Sequence, residues 1–181
     1  MASSSLYLWP QEGLDYIMGV LPKGGASPST LYVGLFTTSW ATVEGYGLSN
    51  INVTLNTGTY IVNELTSATG YTARAPIYAT SGGGSPYWGA QSTGSVTIGS
   101  NTISVRQSVA SGAITFTNSS GSTWTGVNGI FIATSATVGQ ASGAGTTVLW
   151  YAPFSDQSTV TLANGDSISI TPTWQSAPYP A

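Results

Sequence analysis

Cysteine and histidine are both absent from this chain. Their absence excludes a disulfide framework, a thiol nucleophile, a thiolate metal site and every triad that relies on an imidazole base. Charge is nearly absent too: 5% of residues are charged, where a soluble domain ordinarily has about 25%. The three cations, Lys23, Arg74 and Arg106, are too few and too scattered for the clustered basic surface that nucleic acid requires. No apolar run approaches the ~18 residues of a membrane span. The opening MASSSLYLWPQEG carries neither the basic nor the apolar region of a secretory signal. Neither nucleic acid nor membrane is expected as a partner.

The remaining ionisable groups make a poor catalytic set. The six acids are Glu12, Asp15, Glu44, Glu64, Asp156 and Asp166; they fall in a helix start, loops or turns and read as solvated turn residues. A serine–lysine pair would have to use Lys23, which sits between Pro22 and Gly24-Gly25. Gly82-Gly83-Gly84 is followed by no Gly-Lys-Ser/Thr, so it is no phosphate cradle. Asn164-Gly165-Asp166 lacks the acidic alternation of a calcium loop and reads as a tight turn. Asn52-Val53-Thr54 and Asn118-Ser119-Ser120 match the glycan acceptor pattern, a weak signal outside a eukaryotic secretory route. The expectation is a protein with no catalytic residue, cofactor, metal or small-molecule substrate.

What the chain has is apolar and aromatic material: 41% hydrophobic residues, with six Trp, ten Tyr and four Phe among 181 residues. That excludes a disordered chain, which would be poor in such residues. The surface must then be covered by hydroxyl and amide groups instead of charge, which suits a subunit packed in an assembly.

The pattern is that of one all-β domain, a jelly-roll-like antiparallel β-sandwich of nine or ten strands over residues 10–174. Residues 1–9 form an N-terminal arm with an apolar tip, and 175–181, with two prolines, a C-terminal arm. One short helix is expected over 10–21: Pro10 opens it, Leu14, Ile17, Met18 and Leu21 form an apolar stripe, and Pro22 stops it. TLYVGLFT (30–37) is the first strand. Thr72 to Thr80 alternates alanines with Ile77, and Pro76 makes it an edge or bulged strand. SVTIGSNTISV (95–105) is the clearest hairpin. From Val127 to Trp174 four strand signals recur with period two, the mark of half-buried antiparallel strands. Segments 38–70 and 81–94 read as elaborated loops.

Contact with other chains is expected at the aromatic residues outside the regular strands and at the arms: Leu6, Tyr7 and Trp9, Trp40, Tyr87 and Trp88, and Tyr179. Arg74 joins them as a lone cation suited to an interface carboxylate or exposed carbonyls. Trp40, Tyr87 and Trp88 also fit an alternative in which aromatic faces bind sugars.

In order, the chain carries Leu31, Gly34, Leu35, Phe36 and Thr37; then Gly70, Tyr71 and Arg74; then Gly129, Ile130 and Phe131; and finally Leu149, Tyr151, Gly165 and Asp166. This succession resembles a group of small bacteriophage virion proteins labelled tail-fibre-like or capsid decoration proteins. The resemblance spans most of residues 14–171 through short, mainly structural motifs. It implies a jelly-roll-like sandwich on the outer capsid surface, assembled in the host bacterial cytoplasm. It further implies a homotrimer that bridges and stabilises the major capsid protein. The alternative within the same resemblance is a tail-fibre or carbohydrate-binding adhesin.

Overall fold

A computed structural model describes residues 8–20, 28–49, 52–66, 70–98, 101–154 and 157–176. They are mainly β-strand, paired with one exception antiparallel, with two short helices.

The centre is a four-stranded sheet in the order β10-β9-β1-β4, built from Val148–Pro153, Gly129–Ala133, Thr30–Phe36 and Ala75–Tyr78. Every residue of β9 is buried. Alternation points to strands with one wet face; the central ones are covered on both. Register explains how two cores arise. Val33 faces Ile132 and Leu35 faces Ile130, and with Ile77 and Trp150 they enter one core. Gly34 faces Phe131, and Phe131, Tyr151 and Phe36 enter the other. Pro76 does lie on an edge strand, where its missing N–H does least harm.

A bent two-stranded ribbon closes the first core. Strands β7 (Ile114–Thr117) and β8 (Trp124–Val127) run alongside β12 (Ser167–Ile170) and β11 (Val160–Leu162), with β12 on β7 and β11 on β8. Asn164-Gly165 is indeed a turn, with Asp166 Oδ2 accepting Ala163 N–H at 2.9 Å. It joins two strands that do not pair with each other, so it is a corner and not a hairpin. The corner is locked by Asn118, which is fully buried. Its amide donates to Ser122 O at 2.7 Å and Leu162 O at 2.8 Å, while its Oδ1 accepts from Ser120. Asn118→Ala leaves both carbonyls without this donor and removes the turn's acceptor. We expect a loss of about 2–3 kcal/mol in unfolding free energy by urea titration.

The second core is closed by α2 (Trp40–Ser49) with β2 (Val53–Leu55) and β3 (Tyr60–Val62), a short parallel pair. The sequence predicts loop here. Gly45, Gly47 and β-branched Thr42 and Val43 hide the helix, because such residues have low helix propensity. Burial of Trp40 and Val43 against the sheet overrides that preference. Ser39 caps the helix, its Oγ accepting Thr42 N–H at 3.3 Å while its carbonyl takes the first-turn bonds from Thr42 and Val43 N–H.

Helix α1 (Gln11–Val20) lies where the sequence puts it, on β10. Gly13 allows this: a Cβ there would overlap the Leu149 carbonyl. Strands β5 (Ser92–Ile98) and β6 (Asn101–Val109) form the expected hairpin, begun three residues earlier than the sequence suggests. Strand β13 (Thr173–Ser176) adds to β6, extending regular structure past 174.

Candidate docking surface

The polar groups of the second core gather around Arg74, which is buried, not on an interface. All five guanidinium donors are used. Nε and Nη2 grip the Glu64 carboxylate at 2.8 Å each, and Nη2 also reaches Gln140 O at 3.1 Å. Nη1 reaches Ser135 O at 3.0 Å and Thr146 Oγ1 at 3.3 Å. The cation lies 5.1 Å above the Phe131 ring centre. Glu64, expected to be a solvated loop acid, is buried and also accepts Gly139 N–H at 2.8 Å. The Tyr71 hydroxyl accepts Leu35 N–H at 3.2 Å and bonds the Glu64 carboxylate. Burial, and then the negative charge of Glu64, hold that phenol far above its ordinary range. With every guanidinium donor satisfied and both charged side chains buried, the cluster is structural. It ties the β9–β10 connection to β1 and to the segments before β4.

The same connection holds α1. Ser142 Oγ donates to Glu12 Oε1 at 2.6 Å and accepts Leu55 N–H at 2.9 Å. Burial raises the Glu12 carboxyl above its usual pKa, opposed by hydrogen bonds from Ser142 and Val148. A carboxyl raised on folding binds its proton more readily in the native state. Its contribution is therefore fully present below the ordinary carboxylate value and is lost as pH rises through the raised one. Glu12→Gln keeps an acceptor for Ser142 without the charge. The stability of the variant relative to wild type should grow from about pH 4 to about pH 7, read as the difference in urea midpoints.

The surface feature is a groove of about 540 Å³ beside α1. Trp174 stands at its centre, edge-on to Trp9 at 5.2 Å, Trp88 at 5.9 Å and Trp150 at 6.3 Å between ring centres. Tyr16 and Ile17 of α1 form one wall, Gln91 and Ser108 supply polar groups, and among the described residues no charged one lines it. On the outward side of the same helix, Leu14 is 41% and Met18 61% exposed; they are the exposed large hydrophobics among the described residues. Four residues apart, they form one ridge.

Of the residues expected at an interface, Trp9 and Trp88 converge in this groove. Trp40 is 4% exposed, a core residue of α2, and Arg74 belongs to the internal cluster. Tyr87 is half-buried and bridges to Tyr78. Leu6, Tyr7 and Tyr179 lie outside the described residues. Sequence reasoning missed Trp174, read as the last strand residue, and the outward turn of Leu14 and Met18, read as one apolar stripe with Ile17 and Leu21. The signal for Trp174 was present: a tryptophan on a short edge strand next to the chain's end.

Among the described residues no group of acids can hold a metal ion, and no helix is long and apolar enough to cross a membrane. The chain matches no protein family, no curated protein and no solved structure.

Proposed function

We propose that this protein is a structural subunit of a bacteriophage virion. In this reading it is a non-enzymatic capsid decoration protein with a jelly-roll-like sandwich, working as a homotrimer on the outer capsid surface. The observation that carries the reading is the tryptophan groove beside α1, together with Leu14 and Met18 exposed on the outward side of the same helix. Exposed large apolar side chains beside an aromatic groove mark a docking surface, and Trp, Tyr and Met are the side chains that anchor one. The charged side chains that would oppose packing against a capsid are few, and Glu64 and Arg74 are folded inside. The partner in this reading is the major capsid protein.

The motifs behind the family resemblance have a physical account. Gly34, Phe131, Arg74 and Tyr151 meet around the second core and its ion pair, and Tyr71 reaches that pair from the first core through its hydroxyl. They maintain the scaffold, and the docking face lies on α1 and β13.

Purified protein mixed with expanded capsids lacking it should co-sediment in many copies per particle. Met18→Glu and Trp174→Ala should each weaken binding by roughly tenfold or more, the loss of about 1.4 kcal/mol. Met18→Glu should leave the melting temperature unchanged, because the side chain is exposed. Failure of wild-type protein to bind such capsids would end this reading. The tryptophan groove also favours the adhesin alternative, which reproducible hits on a glycan array, abolished by Trp174→Ala, would establish in its place.

A further inference from the structure

Sheet edges are the places where a β-protein joins itself, and natural chains guard them with charge, proline or a covering segment. The central sheet is guarded at both sides. Leu8 exchanges backbone hydrogen bonds with Tyr151 of β10, 2.9 Å each way. On the other side β4 contains Pro76, and Tyr78 bonds Pro86 O at 3.0 Å and accepts Trp88 N–H at 2.9 Å. The strands of the bent ribbon have at most four residues. Strand β5 is the exception. Its seven residues, STGSVTI, hold no charge and no proline, and among the described residues only β6 pairs with it.

We propose that β5 is a self-association edge. Two copies pair these strands antiparallel across a two-fold axis through Ser95, so that their β13-β6-β5 sheets join into one. The second copy is favoured over an unrelated strand by self-complementarity. Ser95 is the middle residue, so this register uses the whole strand and places Ser95 on Ser95. Hydroxyl pairing across strands is how this molecule joins exposed strands elsewhere: Thr115 with Ser169 and Thr117 with Ser167, each at 2.8 Å. On β6 the cation Arg106 lies opposite Thr93. In the pair the two Arg106 rows are separated by three inter-strand spacings, about 14 Å, beyond the screening length of about 8 Å at physiological salt. A strand edge buries less than the ~800 Å² per partner of a stable dimer. The contact is therefore weak between two free copies and effective where many copies are held side by side. It belongs to the isolated protein and does not depend on a capsid.

The absence of native cysteine makes the test clean, since each variant then has a single thiol. Residues directly opposed on antiparallel strands have Cα atoms about 4.5–5.5 Å apart, within the range of about 4.4–6.8 Å that a disulfide spans. Ser95→Cys should form a covalent dimer in a glutathione redox buffer roughly tenfold faster than Ser104→Cys, which lies one strand further in. Equal rates would overturn the proposal. A second measurement uses the unmodified chain: amide exchange in β5 should slow as concentration rises toward about 1 mM, and Ser95→Lys should remove that dependence. Exchange in β5 independent of concentration would also overturn it.

Discussion

Replacing Arg74 with methionine is expected to lower the unfolding free energy by about 3–5 kcal/mol, the cost of leaving a buried carboxylate without its partner. For a domain of this length that corresponds to a fall in melting temperature on the order of 10 °C. The size follows from how completely the guanidinium is used: it grips Glu64 at two points and bonds three oxygens of the β9–β10 connection. Arg74→Lys should lose most of the same stability, because an ammonium cannot reproduce the planar two-point grip. The discriminating variant is the double change Glu64→Gln with Arg74→Met. The carboxamide that replaces the Glu64 carboxylate can still bond Gly139 and Asn56 without burying a charge, so the pair should be more stable than Arg74→Met alone. A double variant that is as unstable as the sum of the singles would show that the two side chains are not coupled.

Gly34→Ala should be nearly as damaging. Gly34 lies opposite Phe131 in the register of β1 and β9, and a Cβ there would overlap the Phe131 ring. Both residues are in the middle of a sheet covered on two faces, so neither backbone has room to retreat. Overpacking of this kind destabilises by about 1–3 kcal/mol, and the upper end applies because Phe131 is also pinned beneath Arg74. Phe131→Leu alone should destabilise by leaving a cavity. Combined with Gly34→Ala it should restore part of the loss, because the smaller side chain vacates the space that the new methyl group needs. Denaturant midpoints of the single and double variants measure this; strict additivity would contradict the contact.

These two sites explain which features were legible in the chain. The all-β character, helix α1, the β5–β6 hairpin and the turn at Asn164-Gly165 are local. Each rests on residues within a few positions of one another, where backbone preference and hydrophobic period act directly. Two-sided burial of the central sheet was legible in part. VLWYA and GIFIA are continuous apolar runs, the mark of a strand covered on both faces, but the period-two alternation nearby points to one buried face only.

The rest depended on contacts between distant segments. Glu64 looks like a surface acid until the fold places Arg74 against it and closes both beneath the 135–146 loop. Nothing in the identity of a lone glutamate reveals that pairing. Helix α2 has poor intrinsic propensity and exists because Trp40 and Val43 find an apolar sheet to cover. Trp9, Trp88 and Trp174 are separated by most of the chain, and they meet through the Leu8–Tyr151 and Trp88–Ala110 bridges and the pairing of β13 with β6. Composition and spacing thus settled that this is a β-rich protein with little charge. Which aromatics became core and which became surface was decided by packing, because burial is a property of what lies opposite a side chain.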